Sequence, residues 1–265
     1  MAARKARRFR EPTATAAIDR WYRKKLRQLA KVVAQIGSEY AAEENPLIAA
    51  DRIQGRLFSY ADTLDQWASE VAATMLERVA LADFKVWKDM GRKAWEETGQ
   101  RVGAATLKAL RSDAVAPTFS KLQLEQVELI KSLPREAGLK VHEWATEGLA
   151  RGQRYADIVG RIQDELGRVT ESRAVLIART ETARARSNFT QARARAIGST
   201  QYVWHTVGDG TVRPMHAALD GTVHDWSNPP VTDIGRGGIP IRSNPGCVFN
   251  CRYFAEPLFP KDIFE

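Results

Sequence analysis

From Pro12 to Gly198 apolar residues return every three or four positions, and that spacing constrains the fold of this 265-residue chain more than any other feature. Ile18, Tyr22, Leu26, Leu29, Val33, Ile36 and Tyr40 alternate steps of four and three. Such a stripe runs along one side of an α-helix of about seven turns. Asn45-Pro46 ends it, because the residue before a proline is pushed out of the helical region. A second stripe holds Leu57, Ala61, Leu64, Ala68, Val71, Met75 and Val79, with Phe84, Trp87 and Trp95 carrying it toward Gly99. Tryptophans at this spacing point to helix packing before they point to a ligand platform. Shorter helices are expected at 102–114, 119–132, 135–150 and 155–167, the last from Tyr155, Ile158, Val159, Ile162 and Leu166. Thr170 is expected to cap a further helix that ends near Gly198.

After Gly198 the pattern changes. Residues 201–207, QYVWHTV, alternate and are rich in aromatic and β-branched types, as a strand requires. Gly208-Asp209-Gly210 is a turn signal, Pro214 suits the first turn of a short helix, and Asp220-Gly221 is a hairpin turn. The tail from Asn228 to Phe259 is dense in Pro and Gly, with a final strand expected at Cys251–Ala255. The fold class is therefore α+β: an elongated, mainly helical N-terminal two thirds with a small loop-rich α+β C-terminal domain. The divisions expected are a basic arm at 1–17, a helical domain at 18–169, a long connecting helix at 170–198 and the small domain at 199–265.

Charge is concentrated at one end. Residues 1–31 hold eleven Lys and Arg against Glu11 and Asp19, a net +9 within a chain whose formal total is +8. Arg4, Lys5, Arg7, Arg8 and Arg10 form an arm suited to the phosphates of a nucleic acid or another polyanion, and Arg20, Arg23, Lys24, Arg27 and Lys31 continue it along the polar side of the first helix. Nothing in MAARKARRFR reads base sequence, so such binding would be non-specific and salt-sensitive. The helix after Thr170 carries Arg173, Arg179, Arg184, Arg186, Arg193 and Arg195. Their angular spread fits a solvated helix with one or two arginines buried in ion pairs better than a single nucleic-acid face. No apolar run is long enough to span a bilayer and no secretory leader is visible, so no membrane is expected, and the protein is expected in a cytoplasm or in an assembly built there. Two cysteines, Cys247 and Cys251, do not make a disulfide framework.

The stretch DGTVRPMHAALDGTVHDW, residues 209–226, gathers Arg213, His216 and His224 among Asp209, Asp220 and Asp225. It has three readings. As framework, Arg213 and His216 share one side of a short helix and Asp209 and Asp220 approach from the flanking turns, fixing a domain with little core. As a zinc site, Cys247 and Cys251 would join His216 and either His224 or Asp220. As a phosphodiesterase, His205 and His216 would be an acid/base pair with Arg213 on a phosphate. No Gly-rich phosphate cradle or paired-carboxylate metal motif accompanies them. The framework reading is preferred, with no catalytic residue and no cofactor.

The ordered series IARTETARARSNFTQARARAIG, then W-H-T, D-G-T-V-R-P-M-H-A-A-L-D-G, a Pro/Gly-rich loop and N-P-G-C-V-F-N-C-R-Y-F-A-E-P resembles the phage head-morphogenesis family, the phage Mu protein F-like minor head proteins. The likeness covers roughly 173–257. Carried over, its signature residues are Arg179, Thr180, Glu181, Trp204, Asp209, Arg213, His216, Asp220, Gly221, Cys251 and Arg252. The family often ends in Cys-Arg-Cys where this chain has Cys251-Arg252-Tyr253. The resemblance implies a virion structural protein of the capsid, not an enzyme, acting with the portal protein and the major capsid protein. In some relatives it implies a role with scaffold protein or packaged double-stranded DNA. A DNA-binding module that guides or condenses the genome is the alternative, and a nuclease-like effector a third.

Overall fold

A computed structural model describes residues 13–39, 45–99, 103, 106, 110–111, 114–206, 212–248 and 253–260. Five long helices dominate it: α1 (Thr13–Ser38), α2 (Pro46–Asp62), α3 (Asp65–Thr98), α4 (Ala116–Ala150) and α5 (Tyr155–Ala196). Then come β1 (Gln201–His205), a single-turn α6 (Pro214–Ala217), β2 (Val223–Asp225), β3 (Val231–Ile234), a 3₁₀ turn at Arg236–Gly238, β4 (Pro240–Arg242) and β5 (Phe254–Pro257). No described helix is long and apolar enough to cross a membrane. The α+β class expected from the sequence is the one observed.

The apolar stripes become the buried sides of these helices. Tyr22, Leu26, Leu29 and Val33 of α1, Ile53 and Leu57 of α2, and Met75, Leu76 and Val79 of α3 are almost wholly shielded from water. Asn45 caps α2 by accepting from Leu47 N at 3.0 Å, with Pro46 in the first turn where a missing N–H costs nothing. The second stripe does not lie on one helix, however. Thr63 closes α2 by turning its Oγ onto the Tyr60 carbonyl, and α3 restarts at Asp65, although Leu64 between them remains buried. Burial there is a matter of position and not of helical phase.

Two other boundaries move the opposite way. The break expected between 132 and 135 is absent: α4 runs through Pro134, which is itself buried between Leu133 and Ala137. A proline inside a helix costs about 3 kcal/mol, and the apolar side bearing Ile130, Leu133, Ala137 and Val141 supplies enough burial to override it. Thr170 is not an N-cap either. It lies inside the 42-residue α5, buried, with Oγ1 bonded back to the Leu166 carbonyl at 2.8 Å, the arrangement open to a threonine within a helix.

The chain divides into two compact units that are not consecutive stretches. One comprises residues 19–76 and 121–181 and is a bundle of helical segments. Its interior includes a polar chain, Tyr22 Oη donating to Gln126 Oε1 at 3.0 Å and Gln126 Nε2 donating to Glu181 Oε2 at 2.6 Å. The other comprises 1–18, 77–120 and 182–265 and holds the strands β1 to β5. There β1 is the centre of a three-stranded antiparallel sheet, β2-β1-β5, and β3 and β4 form a separate antiparallel ribbon. Phe254–Pro257 pairs with Tyr202–His205, so this strand begins three residues later than expected and ends two later, at Pro257. Pairing sets which residues face the core, which local propensity cannot.

Candidate functional site

The sequence cluster folds around β1. Strand alternation puts Tyr202 and Trp204 on one face and His205 on the other. Tyr202 and Trp204 enter a core with Trp87, Leu110, Ala194, Ile197, Trp226 and Tyr253. Tyr202 and Trp226 have ring centroids 4.4 Å apart, and Trp204 meets Tyr253 at 6.0 Å. Asp220-Gly221 makes the turn expected of it: Gly221 has φ +75° and donates its N–H to the Trp204 carbonyl at 2.8 Å, leading into β2.

His216 on α6 is wholly buried in this core, edge-on to Trp204 at 5.7 Å and 4.6 Å from Tyr253. Among the described residues neither ring nitrogen makes a hydrogen bond of ordinary geometry, and Asp233 Oδ2 lies 3.5 Å from Nε2. Burial holds the imidazole below its ordinary pKa, and the attraction of Asp233 only partly opposes it. His216 is therefore a neutral packing group at neutral pH. Arg213 sits at the start of α6, held by its N–H on Tyr253 Oη at 3.3 Å, and its guanidinium grips both Asp233 oxygens at 3.2 and 3.0 Å.

The carboxylate of this network is therefore Asp233 of β3, and not Asp220 as expected from the sequence. Asp220 accepts instead from Thr206 N at 2.7 Å, tying the end of β1 to the turn. Asp209 lies outside the described residues, as do Cys251, Arg252 and the arm residues Arg4, Lys5, Arg7, Arg8 and Arg10. Asp233 escaped notice because it follows Arg213 by twenty positions and carries no local motif.

The acid/base pair is not formed. His205, on the face opposite Trp204, bonds Glu256 Oε2 at 2.6 Å and stacks on Phe254 at 5.2 Å, so the sheet itself separates it from His216. The zinc arrangement also finds no centre among the described residues, where no three His, Cys, Asp or Glu converge. Cys247 Sγ lies 3.4 Å from Ser187 Oγ on α5, while His216 is enclosed by Trp204 and Tyr253. His224 bonds Thr222 Oγ1 at 2.7 Å.

Of the remaining signature residues, Thr180 and Glu181 are buried in α5, Glu181 in the chain with Gln126 and Tyr22, and Arg179 is half-buried beside them. The N-P-G-C stretch docks on the same helix farther along. Gly246 has φ +84°, and a Cβ there would stand 3.0 Å from the Ala183 carbonyl oxygen. Only glycine meets both conditions.

Sequence reasoning expected a buried arginine on this helix, and Arg193 is that residue. It is 1% exposed, pairs through Nη1 with buried Asp83 of α3, and donates to the carbonyls of Leu110 at 2.7 Å and Ala80 at 3.1 Å. Thr190 bonds the other Asp83 oxygen. Asp83 had one signal in the sequence, a lone acid on the apolar side between Val79 and Trp87. Arg173 has a different partner, Glu136 of α4, at 3.0 Å.

Residues 139–255 match the family model described as phage Mu protein F like protein. An uncharacterized protein of Haemophilus influenzae is 25% identical over 264 residues, an alignment covering 96% of this chain and 56% of that protein. The chain thus spans about half the length of this curated relative. No solved structure matches. The matched segment contains Trp204, Arg213, His216, Asp220 and Gly221, the residues just placed around β1 and α6, and over residues 139–255 the chain is similar to the phage Mu protein F like family.

Proposed function

We propose that the chain is a minor head protein, a structural component of the phage capsid that acts with the portal and major capsid proteins during head assembly. The observation that carries this reading is the match of residues 139–255 to the phage Mu protein F like family. The placement of the signature side chains agrees with it. Trp204, His216, Thr180 and Glu181 are consumed in packing and internal hydrogen bonds, as expected of a rigid adaptor whose task is to hold a surface in place. Catalytic groups must reach a substrate, and these do not.

The test is co-expression with the portal and major capsid proteins of the same phage, then gradient sedimentation in high salt with nuclease added. Co-migration through both treatments is expected. Release by nuclease or by salt would make DNA the bridge and replace this reading with the second one.

That second reading, contact with packaged double-stranded DNA, draws support from α1. Arg23 is taken up by Asp19, and Arg27 pairs with Glu171 at 2.9 Å. Arg20, Lys24 and Lys31 are exposed with no acidic partner among the described residues. Three uncompensated cations at steps of four and seven share one side of a helix, a geometry that follows a phosphate backbone without reading bases.

A further inference from the structure

The ribbon of β3 and β4 is built in two halves of opposite character. Its base is fixed: Thr232 is wholly buried, its Oγ1 bonds the Ile241 carbonyl at 3.2 Å and Ser243 Oγ at 3.0 Å, and Asp233 is gripped by Arg213. Arg242 donates to the Pro229 carbonyl at 3.0 Å. Its tip is equally defined in backbone, with Gly235 N on the Ile239 carbonyl at 2.8 Å and Gly237 and Gly238 at φ +73° and +77°.

Yet the tip and outer strand leave three isoleucines in water: Ile234 is 56%, Ile239 67% and Ile241 42% exposed. Every residue of β4 is exposed. A two-stranded ribbon is marginal without support, and this one spends its anchoring contacts on presenting isoleucines outward. Clustered exposed apolar side chains on a rigid element mark an interaction surface.

Charge sets the chemistry of the occupant. Asp233 is the one acidic residue of 231–242, and Arg213 already answers it. Arg236 at the tip has no partner among the described residues, and Arg242 bonds only neutral oxygens, those of Asn228 and Pro229. The surface is therefore apolar and cationic. We infer that the β3–β4 tip is the element by which this chain docks on its head-assembly partner, inserting Ile239 into an apolar groove of that protein rimmed by carboxylates that receive Arg236. The inference rests on the head-protein reading above.

The test measures binding of the purified full chain to the portal protein and to the major capsid protein of the same phage, with sedimentation of the chain alone as a further arm. Ile239→Asp and Arg236→Glu are each expected to weaken binding by about tenfold or more, the scale of losing one buried isoleucine or one ion pair at an interface. Arg236→Lys and Ile48→Asp on α2 should bind as the unaltered chain does, and all variants should keep its near-ultraviolet circular dichroism. Equal binding by Ile239→Asp overturns the docking inference and leaves the head-protein reading intact. Failure of the unaltered chain to bind either protein overturns both. Self-association of the chain that Ile239→Asp abolishes makes a second copy the occupant and overturns the acidic groove.

Discussion

At the scale of single residues, one buried ion pair and one buried imidazole decide how the strand-bearing unit responds to its surroundings. Arg193 and Asp83 neutralise each other in the interior, and removal of one leaves the other uncompensated. Breaking such a pair typically costs about 3–5 kcal/mol. Asp83→Ala is accordingly expected to lower stability by about that amount in urea unfolding, and a loss under about 1 kcal/mol would show that the pair contributes little. His216 acts through pH. Its folded pKa lies below the ordinary imidazole value while the unfolded chain titrates normally, so the unfolded state binds the proton first. The stability it contributes is complete above about pH 6.5 and is lost as pH falls through the lowered pKa. Asp233 and Arg213 face the ring with opposing effects, and His224 is also shifted down by burial. His216→Gln should therefore show a smaller drop in urea midpoint between pH 7.5 and pH 5 than the unaltered chain does. An unchanged drop would remove His216 as its source.

At the scale of elements, helix packing in the bundle unit depends on small residues where α1 meets α5. A Cβ on Gly167 would fall 2.8 Å from the Ala34 Cβ, which has no rotamer with which to retreat. A Cβ on Gly37 would fall 2.7 Å from a Leu166 methyl, which has one. Alanine improves helix propensity by up to about 1 kcal/mol, whereas overpacking costs about 1–3 kcal/mol. Gly167→Ala should thus destabilise and Gly37→Ala should be closer to neutral, a ranking that thermal unfolding of the two variants checks directly. A rise in Tm for Gly167→Ala would mean the helices can separate without loss.

At the scale of the whole molecule the question is whether DNA or protein is the principal partner, and salt distinguishes them. Each phosphate neutralised on duplex DNA contributes about −0.9 to the slope of log K against log salt. Replacing Arg20, Lys24 and Lys31 by glutamine is expected to reduce that slope by about 3 if α1 lies along the duplex, with little dependence on sequence. An unchanged slope would move any DNA contact off this helix. The docking proposed for the β3–β4 tip should survive the same substitutions, because none of the three residues belongs to that ribbon.

The periodic stripes of Ile18 to Ile36 and of Leu57 to Val79 made the helical class legible in sequence, because burying one side of a helix requires that repeat and little else. Asp220-Gly221 announced its turn for an equally local reason, the need for positive φ. Pro134 and Thr170 misled, since packing of a continuous apolar side outweighs one poor helix former or one good cap. The pairings that organise the site were beyond local reading. Asp233 meets Arg213 across twenty residues, and Asp83 meets Arg193 across 110. The separation of His205 from His216 follows from which face of β1 each occupies, and that is fixed only when β2 and β5 take their register on it. Sequence periodicity determines which side of an element is apolar; tertiary structure alone decides which distant charge or ring comes to lie against it, because that choice depends on how whole elements dock.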